Sequence, residues 1–406
     1  MKFALSFTLA ACLLTTDPAL AEPVEILSYE SIESRIRSGN PTLAAARFRI
    51  NEALGRMKQS GRLSNPSFDT GLDHNIQSAE GKIEIGLTQK FPVTNRLALE
   101  KEITLAAVET AEQEVRDVER LLVAEARGEF VRILSIRERK ELLIKQKDLS
   151  NELADFISGA AERGELSSLD AARARLSVLT LTTQERRLQA EESEALGRLR
   201  PLVGIAADAG VKLSGNAPAI TVPSADSVKR PDLNAALIDL RAAGTGIALE
   251  QARRRDDVEA SIFAAGERVE DAPDGLENEG IIGFKLSIPL PFWNDNQGNI
   301  DAATAIRDRK EKEVEALQLE IRHESATAVA EMRQWGALIS DLNDNLLPLA
   351  KEQTDLLEKA YLQGQGDLQA VLTSREQTLE LYGSRLDAMR EFQLARIRYQ
   401  TAVGKP

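Results

Sequence analysis

An alternating run that stops at prolines and gives way to a very long helical pattern occurs twice in this chain, and few folds accommodate it. The fuller copy is Ile288-Pro289-Leu290-Pro291-Phe292-Trp293-Asn294-Asp295-Asn296-Gln297-Gly298-Asn299-Ile300. Pro289 and Pro291 lack amide donors and fix φ, so a strand ends there. Asn294, Asp295 and Asn296 then offer side-chain oxygens to the free amides of a helix start. The other copy runs from Ile83 to Asn95, with Pro92 and Asn95 in the corresponding places. Two copies of one junction imply a duplicated chain.

Composition narrows the class. Aromatic residues are only 4% of the 406, while Ala, Leu, Glu and Arg are abundant, which favours long helices over compact cores. A net charge of −13 argues against a nucleic-acid binder, which needs a basic stripe. At the N-terminus Met1-Lys2 precedes an apolar run from Phe3 to Leu14, then Ala19-Leu20-Ala21, so residues 1–21 read as a cleaved secretory signal. Leu9-Ala10-Ala11-Cys12 also matches a lipobox, with Cys12 as the residue that would be lipidated, but the apolar run continues past Cys12 and a better cleavage site follows. No later segment approaches the roughly 20 apolar residues of a membrane helix. A second meeting with a membrane is therefore by strands or by a surface helix.

From about Ser28 to Gly61 apolar residues recur every three or four positions, with Asn40-Pro41 splitting the pattern into a short helix and one that begins at Pro41. Residues 67–76 and 82–91 alternate, with Phe68, Leu72, Ile83, Ile85 and Leu87 apolar against Asp69, Asp73 and Glu84, and the residues between them form a hairpin loop. Each run has about the length and two-faced character of a tilted membrane strand. A helical pattern then continues from Asn95 to about Phe156, a rod of roughly 90 Å. The chain turns near Gly164 and is helical again from Ser168 to Val203. Residues 208–227, rich in Gly, Ala, Pro and Ser, read as a linker.

The second half replays the first. Pro231, Leu233, Ala235 and Ala236 match Pro41, Leu43, Ala45 and Ala46, and Ala360, Gly364, Arg375, Val403 and Gly404 match Ala160, Gly164, Arg175, Val203 and Gly204. Strands are expected at about 258–265 and 280–288, separated by the acidic loop Glu270 to Glu279. The division is thus 22–207 for the first repeat, 208–227 for the linker and 228–406 for the second repeat. Within each repeat the shorter helices, stacked end to end, match the long one. This puts both strand hairpins at one end and both helix turns at the other. Four strands are too few to close a barrel, so closure calls for several copies in a ring. Only closed barrels or helices satisfy the backbone in lipid, so such a secreted ring belongs in an outer membrane.

The motifs Asn40-Pro41-x-Leu43-x-Ala45-Ala46, Phe91-Pro92, Gly164 with Ser167 and Asp170, Arg230-Pro231-Asp232-Leu233, the junction from Ile288 to Ile300, and Ala360-Tyr361-x-x-Gly364 resemble the TolC family of outer-membrane efflux proteins. The resemblance covers nearly all the mature chain. The second junction looks most like the CzcC-type branch, associated with export of divalent heavy-metal cations. The resemblance implies a mainly α fold with a small membrane β-barrel part. In that fold a homotrimer contributes four strands per protomer to a 12-stranded barrel, continued by a periplasmic α-helical barrel. It implies a passive duct in the outer membrane that meets a periplasmic adaptor (a membrane fusion protein) and an inner-membrane pump of the RND class, with no nucleic-acid partner.

By the same resemblance the adaptor-docking tips are Arg163, Gly164, Glu165, Leu166 and Ser167 in the first repeat and Gly364, Gln365, Gly366, Asp367 and Leu368 in the second. Glycines at such turns also have a purely structural reading as left-handed caps. Relatives carry acids just after the second turn that narrow the periplasmic mouth; Ala370 and Thr373 stand there instead, which puts a charge-ring gate in doubt, while Asp170 keeps an acid in the first repeat. The mature chain has His74 and His323 but neither His-x-x-x-His nor Cys-x-x-Cys, so no metal site, cofactor or enzyme activity is expected. Two other readings fit part of the pattern. A drug-efflux or type I secretion duct shares the fold, and a periplasmic coiled-coil adaptor shares the helices but would have one hairpin, not two.

Overall fold

Asn40 shows how local chemistry sets this architecture. Its backbone is extended, its Oδ1 accepts from Leu43 N at 2.9 Å, and Pro41 occupies the first helical position, where a missing donor costs nothing. It thereby ends α1 (Ser31–Gly39) and starts α2 (Pro41–Gln59). The computed structural model describes residues 24–77, 79–215, 218–223, 227–271 and 275–405; the signal cleavage after Ala21 and the lipobox Cys12 lie outside the described residues.

The remaining elements follow in two rounds. The first has β2 (Ser67–His74), β3 (Gly81–Phe91), α3 (Arg96–Glu162) and α4 (Ser168–Leu202). The second has α5 (Pro231–Ala252), β5 (Val258–Asp271), β6 (Gly275–Ser287), α6 (Gln297–Asp341), α7 (Leu347–Leu362) and α8 (Leu368–Val403). A π-helical turn, Leu342–Leu346, joins α6 to α7. At 67 residues α3 runs six residues past the expected end and is about 100 Å long.

The shorter helices of each repeat meet end to end beside a long one. Asn40 Nδ2 donates to Leu202 O at 2.8 Å, so the start of α2 sits on the end of α4. Lys229 N donates to Val403 O at 2.9 Å, which sets α5 on the end of α8 in the same way. Each joint has a left-handed glycine in its last turn, Gly204 and Gly404, against which the neighbouring backbone packs so closely that a Cβ would come within 2.5 Å of Gly39 O and of Lys229 C. The largest core cluster lies at the first joint, where Phe130 and Ile133 of α3 pack with Ile32, Ile36, Leu43 and Leu199. A second cluster joins α6 to α8 through Met332, Phe392 and Tyr399.

Two expectations need correction. The stretch 208–227 is not all linker: Gly210–Ser214 forms β4, which pairs in parallel with β1 (Val24–Ser28), an N-terminal strand that the sequence pattern did not announce. Nor is all of the acidic stretch Glu270 to Glu279 a loop: β5 takes in Glu270 and Asp271, and β6 begins at Gly275. The two strands pair there, with Val269 opposite Glu277 and Asp271 opposite Gly275. Backbone pairing needs no apolar side chains where the strand ends stand in water, so composition alone misleads there.

Candidate conduit surface and docking tips

The four strands β2, β3, β5 and β6 form one antiparallel sheet in that order. Register places Phe68 opposite Leu87, Leu72 opposite Ile83, Leu87 opposite Ile262 and Ile262 opposite Phe284, so one face is a continuous apolar surface. It is bare of protein, with Ile282 87% and Leu72 77% exposed. The other face carries Asp69, Asp73, Glu84, Glu259, Glu267, Glu277 and Glu279 against Lys82, Lys90 and Lys285. Thr88 ties that face together by bonding Asp69 at 2.6 Å and Ser261 at 2.8 Å. Neither edge strand, β2 nor β6, has a further strand beside it among the described residues. Such a sheet is unstable alone in water: its apolar face wants lipid and its edges want partners.

Below the sheet a belt of ion pairs fixes the strands to the helices. Arg96 at the start of α3 grips Asp257 at the start of β5 through Nε at 2.9 Å and also reaches Glu100. Arg253 bridges Glu250 and Glu100. The expected cap at α6 is made by Asn294 and Asp295, whose side chains accept from Asn296 N and Gln297 N. Asn296 does not cap α6. It takes a left-handed φ of 60° and donates instead to Glu250 O at the end of α5.

At the far end lie the two tips, built alike. Glu165 N donates to Ala160 O and Gly164 N to Ala161 O; Gln365 N donates to Ala360 O and Gly364 N to Tyr361 O. Both are Schellman turns closed by a glycine with positive φ, 78° at Gly164 and 73° at Gly364. The first tip adds a forked ion pair from Arg163 to Glu165 and a helix cap in which Leu169 N donates to Ser167 Oγ at 3.1 Å. The second has neither: Gln365 replaces the acid and the Asp367 side chain makes no cap bond. Gly366 lies so close to the Tyr361 backbone that a Cβ would meet its nitrogen at 2.9 Å. The tips touch, because Leu368 is buried in one cluster with Leu166, Ile157, Ala174 and Tyr361. Of the expected tip residues, Leu368 is core and the others are exposed or half-buried.

Sequence profiles of the outer membrane efflux protein family match residues 33–205 and 222–404, one stretch for each repeat. The chain belongs to that family. The cobalt-zinc-cadmium resistance protein CzcC of Cupriavidus metallidurans is 22% identical to it over 395 residues, 93% of this chain and 87% of that one. Among solved structures CusC superposes with a TM-score of 0.77 at 17% identity, over 93% of this chain and 92% of that chain. The outer membrane protein VceC of Vibrio cholerae gives 0.75 at 16% identity, over 93% and 96%. This outer membrane efflux protein thus has the TolC-like fold: mainly helical, with two repeats, four strands for a membrane barrel and long periplasmic helices. No described helix is long and apolar enough to cross a membrane.

The acid expected at the periplasmic mouth, Asp170, faces Arg173 of its own helix at 3.8 Å. Across the tip cluster stands Tyr361, whose hydroxyl is buried without a protein hydrogen-bond partner. Burial pushes the Tyr361 phenol above its usual pKa, and the carboxylates of Asp170 and Asp367 push it further. The sequence motif holds Tyr361, but only the tertiary contact between tips brings it to Asp170. The histidines stand apart. His74 Nδ1 lies 3.1 Å from Glu80 O on the sheet, and His323 lines a cavity of about 640 Å³ between α3, α6 and α8. No group of three His, Cys, Asp or Glu side chains is placed to hold a metal among the described residues.

Proposed function

We propose that three copies of this chain form the outer-membrane duct of a tripartite efflux system whose cargo is divalent heavy-metal cations. The observation that carries the reading is the open-edged sheet with a bare apolar face, which has no stable state except in a ring of copies surrounded by lipid. Three sheets of four strands give a barrel of about twelve, wide enough for a water-filled passage. The polar face then lines the lumen, and its excess of carboxylates raises the local concentration of cations by field alone, with no tight site needed. The likeness to a cobalt-zinc-cadmium resistance protein agrees with that cargo. The energy for export would then come from an inner-membrane pump of the RND class.

A periplasmic adaptor would connect pump and duct at the paired tips, through Arg163, Gly164, Glu165, Leu166 and Ser167 and through Gly364, Gln365, Gly366 and Asp367, with Leu368 buried beneath them as core. Deleting the gene from its host tests the cargo. Growth should become sensitive to zinc, cobalt or cadmium and recover when the gene is returned; unchanged tolerance of all three would remove the metal assignment. Photo-crosslinkers at Glu165 and Gln365 should capture the adaptor, whereas one at Glu259 in the lumen should not.

A further inference from the structure

One large apolar side chain stands on the polar face of the sheet. Phe263 of β5 shares that face with Glu259 and Glu267, on the side away from lipid. Register sets it in a row that reads Asp69, Gly86, Phe263, Gly283 across the four strands. Both of its strand neighbours are therefore glycines. The ring does not stand up from the wall. It lies across Gly283 of β6, so that a Cβ added there would come within 2.6 Å of Phe263 Cε1 and nearer still to Cζ. On the other side a Cβ on Gly86 would come within 3.3 Å of both Phe263 Cβ and Ile262 O. Ala265, which is buried, and Ile281 face each other in the next row toward the hairpin end and extend the apolar patch. Glycine inside a strand weakens it, so one on each side of a single aromatic marks a place where a side chain must lie close to the backbone.

We infer that Gly86 and Gly283 set the bore of the duct: they form a recess in which the Phe263 ring is stowed flat against the wall, and so fix how large a solute the barrel passes at that level. The inference rests on the outer-membrane duct proposed above and adds what limits its width within the sheet. Twelve strands about 4.8 Å apart and tilted by about 40° make a circumference of about 75 Å, or about 24 Å from backbone to backbone. A threefold ring brings three copies of Phe263 to one level, so a change in the posture of the ring counts three times. Its χ1 has three staggered positions. With methyl groups on both flanking residues the positions along the wall are blocked, and the ring is left to project into the passage. Gly86 and Gly283 are thus positioning residues, and Phe263 is the side chain that a solute meets.

Cys12 is the chain's one cysteine and lies in the expected signal, so Ser287→Cys supplies a single thiol on the polar face, two rows to the periplasmic side of Phe263. Intact cells are treated from outside with two thiol reagents. One is a small trimethylammonium methanethiosulfonate; the other is the longest maleimide-polyethylene glycol of a graded series that still labels Ser287→Cys. Adding G86A/G283A should slow the long reagent at least about five-fold and leave the small one within about two-fold. Adding F263A to that variant should restore the rate of the long reagent. If G86A/G283A does not reach the outer membrane, Gly283→Ala alone is read in the same way, with a slowing of about two-fold expected. Unchanged rates would mean that the glycines only ease packing within the sheet, and a slowing that survived F263A would mean that the wall itself had shifted; either overturns the recess and leaves the duct. A Ser287→Cys thiol that even the small reagent could not reach would instead overturn the duct.

Discussion

The two helical hairpins descend from one plan yet are held differently. In the first, α3 passes unbroken from the sheet to the tip. In the second, the matching rod opens into a π-helical turn, where Leu347 N donates back to Leu342 O. Pro348 follows at once, and a proline ring in a regular helix collides with the carbonyl four residues earlier. The wider turn moves that carbonyl aside, and Arg385 of α8 fastens the bulge by donating to Asn343 Oδ1 at 2.6 Å. The tips differ in the same sense, one capped and ion-paired, the other neither. Where the repeats agree is in their glycines: Gly164 with Gly364, Gly204 with Gly404. The duplicated plan is therefore fixed by backbone geometry at turns and joints, and the side chains between them are free to diverge.

That comparison separates two kinds of glycine, and alanine substitution should sort them. At the joints, Gly204→Ala and Gly404→Ala combine a left-handed backbone with a Cβ driven into neighbouring main chain. The expected loss is about 2–5 kcal/mol at either position. At the tips, Gly164→Ala and Gly364→Ala have nothing within 4 Å of the new methyl, so only the conformational term remains, about 1–2 kcal/mol. Thermal unfolding of the four variants in detergent checks the ranking. A tip variant as damaging as a joint variant would mean that the tips bear on assembly, not only on their own turn.

Much of this was legible in the sequence because it depends on residues that act locally. Asn40-Pro41, Gly164 and Gly364 declare their turns by chemistry that needs no distant partner. The sheet faces were readable because one is apolar and the other is not, and a period of two survives even in short strands. What stayed hidden depends on distance or on solvent. Gly210–Ser214 is five residues long, and its partner strand lies nearly the whole first repeat away. The acidic ends of β5 and β6 carry loop-like side chains on paired backbone. Asn296 looked like a cap, but its side chain is claimed by α5 and its backbone by a left-handed turn. The meeting of Tyr361 with Asp170 exists only once the tips pack together.

The difference between tip caps predicts a smaller effect. Ser167→Ala removes the bond to Leu169 N and should cost about 1 kcal/mol of local helix stability. Asp367→Ala removes no such bond and should cost about 0.5 kcal/mol or less. Hydrogen exchange at the first turns of α4 and α8 reads both: amides near Leu169 should speed up several-fold, those near Leu368 hardly at all. Equal acceleration would show that Asp367 supports its helix through the helix dipole as well as Ser167 does through a bond.

The subtlest difference is one of pH. Hydrogen bonds from Arg163 hold the Glu165 carboxyl below its usual pKa, and both side chains are in water. Because the folded value is the lower one, the pair's contribution is complete above the ordinary carboxylate range and fades as pH falls through the depressed value. The first tip should therefore loosen below about pH 4. At the matching places the second tip has Gln363 and Gln365, which do not titrate, so this source of acid sensitivity is missing there. Amide exchange at Gly164 and Glu165, corrected for the intrinsic effect of pH and compared with Gly364 and Gln365, should show the first pair losing protection alone. Arg163→Gln gives the first tip the chemistry of the second and should abolish the contrast. If the contrast persisted in that variant, the acid response would have to come from another carboxylate near the turn, with Asp170 the first to replace.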